Sequence, residues 1–319
     1  MDAGRDTRTS RRLVWASADA LESLGEPPDG LELEPIPDDP GAAERLGEVQ
    51  FVVMPSRTPS GDPTGVFAGL WDRMPSLRYV QVLSAGVDWI VRDVPPGVGL
   101  CSARGAHDVP VSEWVLAAVL AGLKRVGRFR DEMREGNWAP EDLPELCGAN
   151  VVLLGYGSIG RAVERLLEPF GPRSISRIAR HARAGVDTLD TLGDALPLAD
   201  VVIVLLPLTD ETRGIVDAGF LASMRPGALL VNAARGGLVD SEALSEALHS
   251  GRISAVLDVT DPEPLPSDDP LWHAPGLLIT PHVAGASARL MERVMSLVRA
   301  QLERFARDEP LLNVVREGY

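Results

Sequence analysis

Three residues in the second half of the chain could together reduce a carbonyl. Arg235 lies in "VNAARGGLVD" (231–240), Glu263 in "LDVTDPEPLP" (257–266) and His282 in "ITPHVAG" (279–285). Each follows a short apolar run that reads as a strand. An Arg binds a carboxylate bidentately and polarises the carbonyl beside it. A His supplies a proton, and a carboxylate on its other ring nitrogen keeps it protonated and oriented. Reduction of a 2-oxo acid needs that set together with a hydride from a nicotinamide. Taken singly, each residue has a plainer reading: a surface ion pair for Arg235, a solvated loop acid for Glu263, a packed core histidine for His282. Their joint placement at the carboxyl ends of three successive strands, where open α/β sheets bind ligands, favours chemistry. Asp258 ends one of the same runs.

A hydride donor needs its own site. "LLGYGSIGRA" (154–163) contains Gly155-Tyr156-Gly157-Ser158-Ile159-Gly160, with a strand before it and a helix after it. In that context Gly155 permits the tight turn, Gly157 lets backbone approach a pyrophosphate, and Gly160 lets helix pack on strand. An NAD site would show an acid about 20 residues further on. No acid occurs from Pro172 to Val186, and Ile178 stands where one is expected. The segment carries Arg173, Arg177, Arg180, His181 and Arg183 instead, a basic island in a chain of net charge -15. An Arg forks well onto a phosphate. NADP(H) is therefore favoured over NAD(H), with Arg177 and Arg180 as candidates for the 2′-phosphate. A solvated basic loop is the alternative.

The elements that position these residues alternate strand and helix. In the first hundred residues the strand candidates are 12–16, 31–36, 49–54, 79–84 and 99–103. A helix over 109–136, capped by Asp108, follows. Later strands are expected at 150–157, 174–178, 199–207, 227–234, 255–259 and 277–282, with helices at 159–170, 214–224 and 241–251, the last capped by Asp240 and stopped by Gly251. This pattern implies an α/β fold of doubly wound parallel sheets. The closing amphipathic helix, 287–308, must pack on the first hundred residues. The expected layout is a Rossmann nucleotide domain (104–283) inserted into a discontinuous, flavodoxin-like substrate domain (1–103 plus 284–319).

Bulk properties narrow the classes. A length of 319 residues suits two domains. The acidic charge argues against a nucleic-acid partner. Cys101 and Cys147 have neither disulfide nor zinc spacing and read as reduced thiols of a cytoplasmic protein. The apolar stretch 114–123 is shorter than the ~20 residues that span a membrane. Residues 1–10 are polar and are expected to be disordered.

The motifs "VVLLGYGSIG", "LPLTDETRGIV", "FLASMRPGALLVNAARGGLVDSEALSEAL", "AVLDVTDPEPLP" and "LLITPHVAG" together resemble the D-isomer-specific 2-hydroxyacid dehydrogenases, and its glyoxylate/hydroxypyruvate reductase branch in particular. The resemblance runs in order from about residue 76 to 286. It implies a catalytic set of Arg235, Glu263 and His282, with Ala85 and Gly86 holding the substrate carboxylate through backbone N–H groups. It implies that Asp258 and the Ala233 carbonyl touch the nicotinamide amide, and that Pro207 and Thr212 lie near the adenosine. It implies a homodimer built through the nucleotide domain, a small 2-oxo or 2-hydroxy acid as substrate, and no resident metal. Arg180 matches an Arg of NADP-preferring reductases of this kind. Two departures stand out: Thr260 replaces a common aromatic, and the first 75 residues match poorly. Ser56 and Arg57 are pocket candidates there. A different class on the same fold is a dinucleotide-sensing, corepressor-like binding protein; a peptide cleft and long disordered tails would mark it. A formate dehydrogenase would pair its His with a non-acidic residue, not Glu263.

Overall fold

The computed structural model describes residues 11–55, 67 and 69–316. The polar start of the chain, the turn-rich stretch 57–65 and the candidates Ser56 and Arg57 lie outside the described residues. In chain order the first elements are β1 (Arg12–Ala16), α1 (Ala18–Leu24), β2 (Leu31–Pro35), β3 (Val49–Val53), β4 (Tyr79–Gln81) and β5 (Gly99–Cys101). There follow α2 (Asp108–Leu123), α3 (Val126–Arg134), β6 (Asn150–Leu154), α4 (Ser158–Leu167), β7 (Ser174–Ile178), α5 (Leu192–Ala195) and β8 (Val201–Val204). The chain continues through α6 (Ala218–Ser223), β9 (Leu229–Asn232), α7 (Ser241–His249), β10 (Ser254–Leu257), β11 (Leu277–Ile279) and α8 (Leu290–Ala306). Two compact units result: Met1–His107 with Ala288–Tyr319, and Asp108–Ser287.

The first unit is a parallel sheet in the order β2-β1-β3-β4-β5. Its central strands are buried apolar runs, as expected for a sheet covered on both faces. One face is covered by α8, whose Val294, Val298, Leu302 and Phe305 pack with Val14, Phe51 and Val53. Two buried glutamines inside this packing are paired. The Gln301 amide donates to the Gln81 side-chain oxygen (2.9 Å) and to the Leu312 carbonyl (2.8 Å), and its own oxygen accepts from Leu312 N–H (2.7 Å). Gln81 donates to the Val82 and Cys101 carbonyls. Residues 313–315 then run antiparallel beside β5, with Val314 bridged to Cys101 and Val315 N–H bonded to the Leu100 carbonyl. Burial pushes the Cys101 thiol up to about 12, although it shares a hydrogen bond with Gln301.

The second unit is a six-stranded parallel sheet, β11-β10-β9-β8-β6-β7. Beyond β7 a single parallel bridge, Ile178 to Asp187, stands where a further strand could lie. Strand order reverses at β6, so the carboxyl ends of β6 and β8 flank a switch point. Alternate residues of the strands feed the two cores of this unit: Val152, Leu154, Val202 and Val204 on one face, Val151, Leu153, Val201 and Ile203 on the other. Asp240 caps α7 as expected, accepting from the N–H groups of Glu242 and Ala243, and Gly251 follows with φ 68.

Two expectations change. The helix over 109–136 is two helices, broken at Arg125 with φ 47. The cause is legible in their surfaces: α2 buries residues along its length, whereas α3 buries none and is held by Arg125 and Arg128 on Glu141. Asp108 is the first helical residue, not the cap. Several strands are shorter than their apolar runs: β8 ends at Val204, β9 at Asn232 and β11 at Ile279, and the rest of each run leaves the sheet. Among the described residues no helix is long and apolar enough to cross a membrane, and no group of three or more His, Cys, Asp or Glu could hold a metal.

Candidate active site

The Gly-rich turn joins β6 to α4. Gly155 has φ 115, and a Cβ there would stand 2.4 Å from the Leu205 carbonyl carbon. A Cβ on Gly160 would stand 2.6 Å from the Gly155 carbonyl oxygen, so only glycine lets α4 sit this close to the strand. Gly157 differs: a Cβ there meets nothing within 4 Å and points into open space. It is also the N-cap of α4 and offers no side-chain cap, which leaves the first N–H groups of the helix for an anion. These residues fit a dinucleotide pyrophosphate. Ser158 and Ile159 open the helix, and the hydroxyl of Thr212 donates to the Pro207 carbonyl (2.6 Å), fixing the turn after the neighbouring β8.

The basic segment is less uniform than its sequence. Arg177 points inward, with Nε 2.6 Å from Glu164 Oε1, and the Tyr156 hydroxyl donates to the same carboxylate. Burial pushes Glu164 up, but the hydrogen bonds from Arg177 and Tyr156, with the Arg177 charge, outweigh it and hold the carboxyl below the ordinary 4.5. Arg177 is thus engaged by a buried acid. Arg180 lies further out, 3.4 Å from the exposed Glu211. Arg183 donates to the Tyr156 carbonyl (2.6 Å) and lies over the Tyr156 ring. Ile178 does not face outward. Its side chain is 1% exposed and packs with Leu154, Leu192 and Val204, so it faces the core and not a ribose. The absence of any acid from Pro172 to Val186 carries the cofactor argument instead.

The three chemical residues leave adjacent parallel strands. Asn232 ends β9 opposite Leu257, and Leu257 lies opposite Ile279. Asn232, fully buried, folds the next turn: its amide donates to the Arg235 carbonyl (2.9 Å) and its oxygen accepts from Ala234 N–H (3.0 Å). Ala233 sits inside this turn. Arg235 donates to the Ala234 carbonyl (2.7 Å). Gly236 then presses on the loop after β10, where a Cβ would stand 2.0 Å from the Thr260 carbonyl carbon. The Arg235 turn is thereby set against the segment that leads to Glu263. Glu263 Oε1 lies 2.5 Å from His282 Nδ1, and the two side chains are 41% and 37% exposed. Nδ1 bonded to the carboxylate leaves Nε2 of the ring for a substrate.

His282 itself has φ 52, a left-handed conformation unusual outside glycine. Its N–H donates to the Asp258 carbonyl (2.8 Å). The Asp258 carboxylate is 2% exposed and accepts from the Thr280 hydroxyl (2.5 Å), Val283 N–H (2.9 Å) and Ala284 N–H (2.7 Å). These contacts make Asp258 the anchor of the His282 turn. In the other unit, Ala85 and Gly86 follow β4. There the Ser84 hydroxyl donates to the Gly86 carbonyl (2.6 Å) and accepts from the Trp89 indole (3.2 Å).

Sequence reasoning missed Glu164 and Asn232. Both left a signal. Glu164 shares the inward face of α4 with Gly160 and Leu167, where a charge must find a partner. Asn232 is a polar residue closing an apolar strand before small residues.

The family model for the D-isomer specific 2-hydroxyacid dehydrogenase, NAD binding domain, matches residues 116–284. A hydroxypyruvate reductase of Blautia hydrogenotrophica is 30% identical over 86% of this chain and 87% of its own length. A D-isomer specific 2-hydroxyacid dehydrogenase of Xanthobacter autotrophicus, solved with NADPH and MES, superposes with a TM-score of 0.80 at 31% identity, covering 96% of this chain and 98% of the other. An NADPH-dependent glyoxylate/hydroxypyruvate reductase of Sinorhizobium meliloti, solved with NADP and sulfate, gives 0.80 at 27% identity, again over 96% and 98%. With two parallel-sheet units, a Gly-rich turn at the switch point and a His-Glu pair at the strand ends, this chain belongs to the D-isomer specific 2-hydroxyacid dehydrogenase family.

Proposed function

We propose that the protein reduces a small 2-oxo acid to the D-2-hydroxy acid, and catalyses the reverse, with NADP(H) preferred to NAD(H). The observation that carries this reading is the His282–Glu263 pair, held at 2.5 Å beside the Arg235 turn. Bound reduced nicotinamide supplies a hydride to the carbonyl carbon. His282 Nε2 gives its proton to the carbonyl oxygen, and Glu263 stabilises the imidazolium before transfer. Arg235 grips the carboxylate and draws electron density from the carbonyl. Backbone N–H groups of Ala85 and Gly86 are the further carboxylate donors in this proposal. The unit Asp108–Ser287 takes the dinucleotide and the other unit shapes the substrate. Preference for NADP(H) is supported by the acid-free 172–186 segment with Arg180, and by the NADPH- and NADP-bound relatives.

A panel of 2-oxo acids, glyoxylate and hydroxypyruvate first, assayed with NADPH and NADH side by side tests the reading. Arg235→Ala and His282→Ala should each lower kcat/KM by at least about 100-fold. Either variant reducing its best substrate at the wild-type rate refutes the assignment.

A further inference from the structure

We infer that Trp114 and Thr280 are positioning residues for the proton donor, acting through Asp258 on the turn that carries His282. This rests on the role proposed for His282. The chain of contacts is continuous and lies within one unit. Trp114, on α2, donates its indole N–H to the Thr280 hydroxyl (3.1 Å). That hydroxyl has one proton, and with its acceptor side taken by the indole it donates to Asp258 (2.5 Å). Asp258, so oriented, accepts the N–H groups of Val283 and Ala284, the two residues after His282.

The turn needs this hold. A histidine at φ 52 occupies a conformation that L side chains rarely adopt, and it persists only when its surroundings over-determine it. Its neighbours on the C-terminal side are fixed by one carboxylate, and that carboxylate takes its direction from Thr280. The His282 N–H, bonded to the Asp258 and Thr280 carbonyls, fixes the entry to the turn but not the two residues after it. Glu263 arrives on a separate, exposed loop and holds only the ring. Without the Trp114–Thr280 link, Asp258 can rotate and release Val283 or Ala284. The backbone then relaxes from the left-handed region and Nε2 swings away from the carbonyl oxygen. Displacements of 1 Å at such a group can cost about 100-fold in rate.

Thr280→Val keeps the shape of the side chain and removes the hydroxyl; Thr280→Ser keeps the hydroxyl; Trp114→Phe removes the N–H donor. Two measurements are made on each. The first is amide hydrogen exchange at Val283 and Ala284, which needs no turnover. Thr280→Val should quicken exchange there at least about tenfold, Trp114→Phe less, and Thr280→Ser little. The second is steady-state reduction with NADPH. Thr280→Val should lower kcat about tenfold or more with KM for NADPH within about twofold, and Thr280→Ser should restore kcat. Combined with Trp114→Phe it should lose less than the product of the two single effects. Unchanged exchange at Val283 and Ala284 in folded Thr280→Val, or a wild-type kcat in that variant, overturns the inference. A wild-type rate in His282→Ala overturns instead the role of His282, so the two failures are told apart.

Discussion

At the scale of single residues, the site separates two kinds of arginine that look alike in sequence. Arg177 neutralises Glu164, whose side chain is almost wholly buried, while Arg180 stands on the surface near Glu211. Their substitutions should therefore fail differently. Arg180→Ala should lower the ratio of NADPH to NADH efficiency and leave the melting temperature alone. Arg177→Ala leaves a buried carboxylate without its counter-charge, with the Tyr156 hydroxyl still donating, and should cost about 1–3 kcal/mol of stability, read by urea unfolding. A second expectation concerns protons. Reduction takes up one proton, so under the proposed mechanism its rate should fall as pH rises, while oxidation gains. A reduction rate flat from about pH 6 to about pH 10, with chemistry limiting, argues against His282 as donor.

At the scale of elements, the glycines divide by what surrounds them. Gly160 and Gly236 are where α4 meets its strand and where the Arg235 turn meets the loop after β10; Ala at either has no room. Gly157 has room but borders the proposed pyrophosphate. Gly157→Ala should fold with near wild-type stability and bind NADPH weakly, whereas Gly160→Ala and Gly236→Ala should lose stability as well. Fluorescence titration with NADPH beside thermal unfolding distinguishes these cases. Element types and their order were legible in the sequence because buried parallel strands are short apolar runs between turn formers. The Gly-rich turn and the proposed trio stand out for the same reason, since each follows such a run within a few residues. What stayed hidden depends on side-chain direction. Nothing in "SRIAR" says that Ile178 faces the core and Arg177 a buried Glu thirteen residues earlier. The break at Arg125 hid inside a helical spacing that continues through it.

At the scale of the whole molecule, proton linkage and thiol chemistry give checks independent of any substrate. Glu164 is held below the ordinary carboxylate value in the folded state, so its contribution is present at neutral pH. It is lost as pH falls below about 4.5 and through the lower folded value. Unfolding free energy should decline with acid in that window, and less steeply in Glu164→Gln. Of the two cysteines, Cys147 is exposed and Cys101 buried, so a thiol reagent at mildly alkaline pH should label one site in the native protein and both after unfolding. The homodimer that the resemblance implies can be read by sedimentation. Val126, Met133 and Trp138, the last 94% exposed, are apolar residues of the Asp108–Ser287 unit left open to solvent.

The buried Gln81–Gln301 pair has a consequence for synthesis on the ribosome. The Gln81 side-chain oxygen in β4 finds its partner on α8, and among the described residues the edge of β5 is covered by residues 313–315. The sheet of the first unit therefore holds an unsatisfied amide oxygen and an open edge until α8 and residues 313–315 have emerged. The Asp108–Ser287 unit is contiguous and has every strand of its sheet before then. A chain truncated near residue 290 and released from the ribosome should thus carry a protease-resistant second unit beside a first unit that is still cleaved.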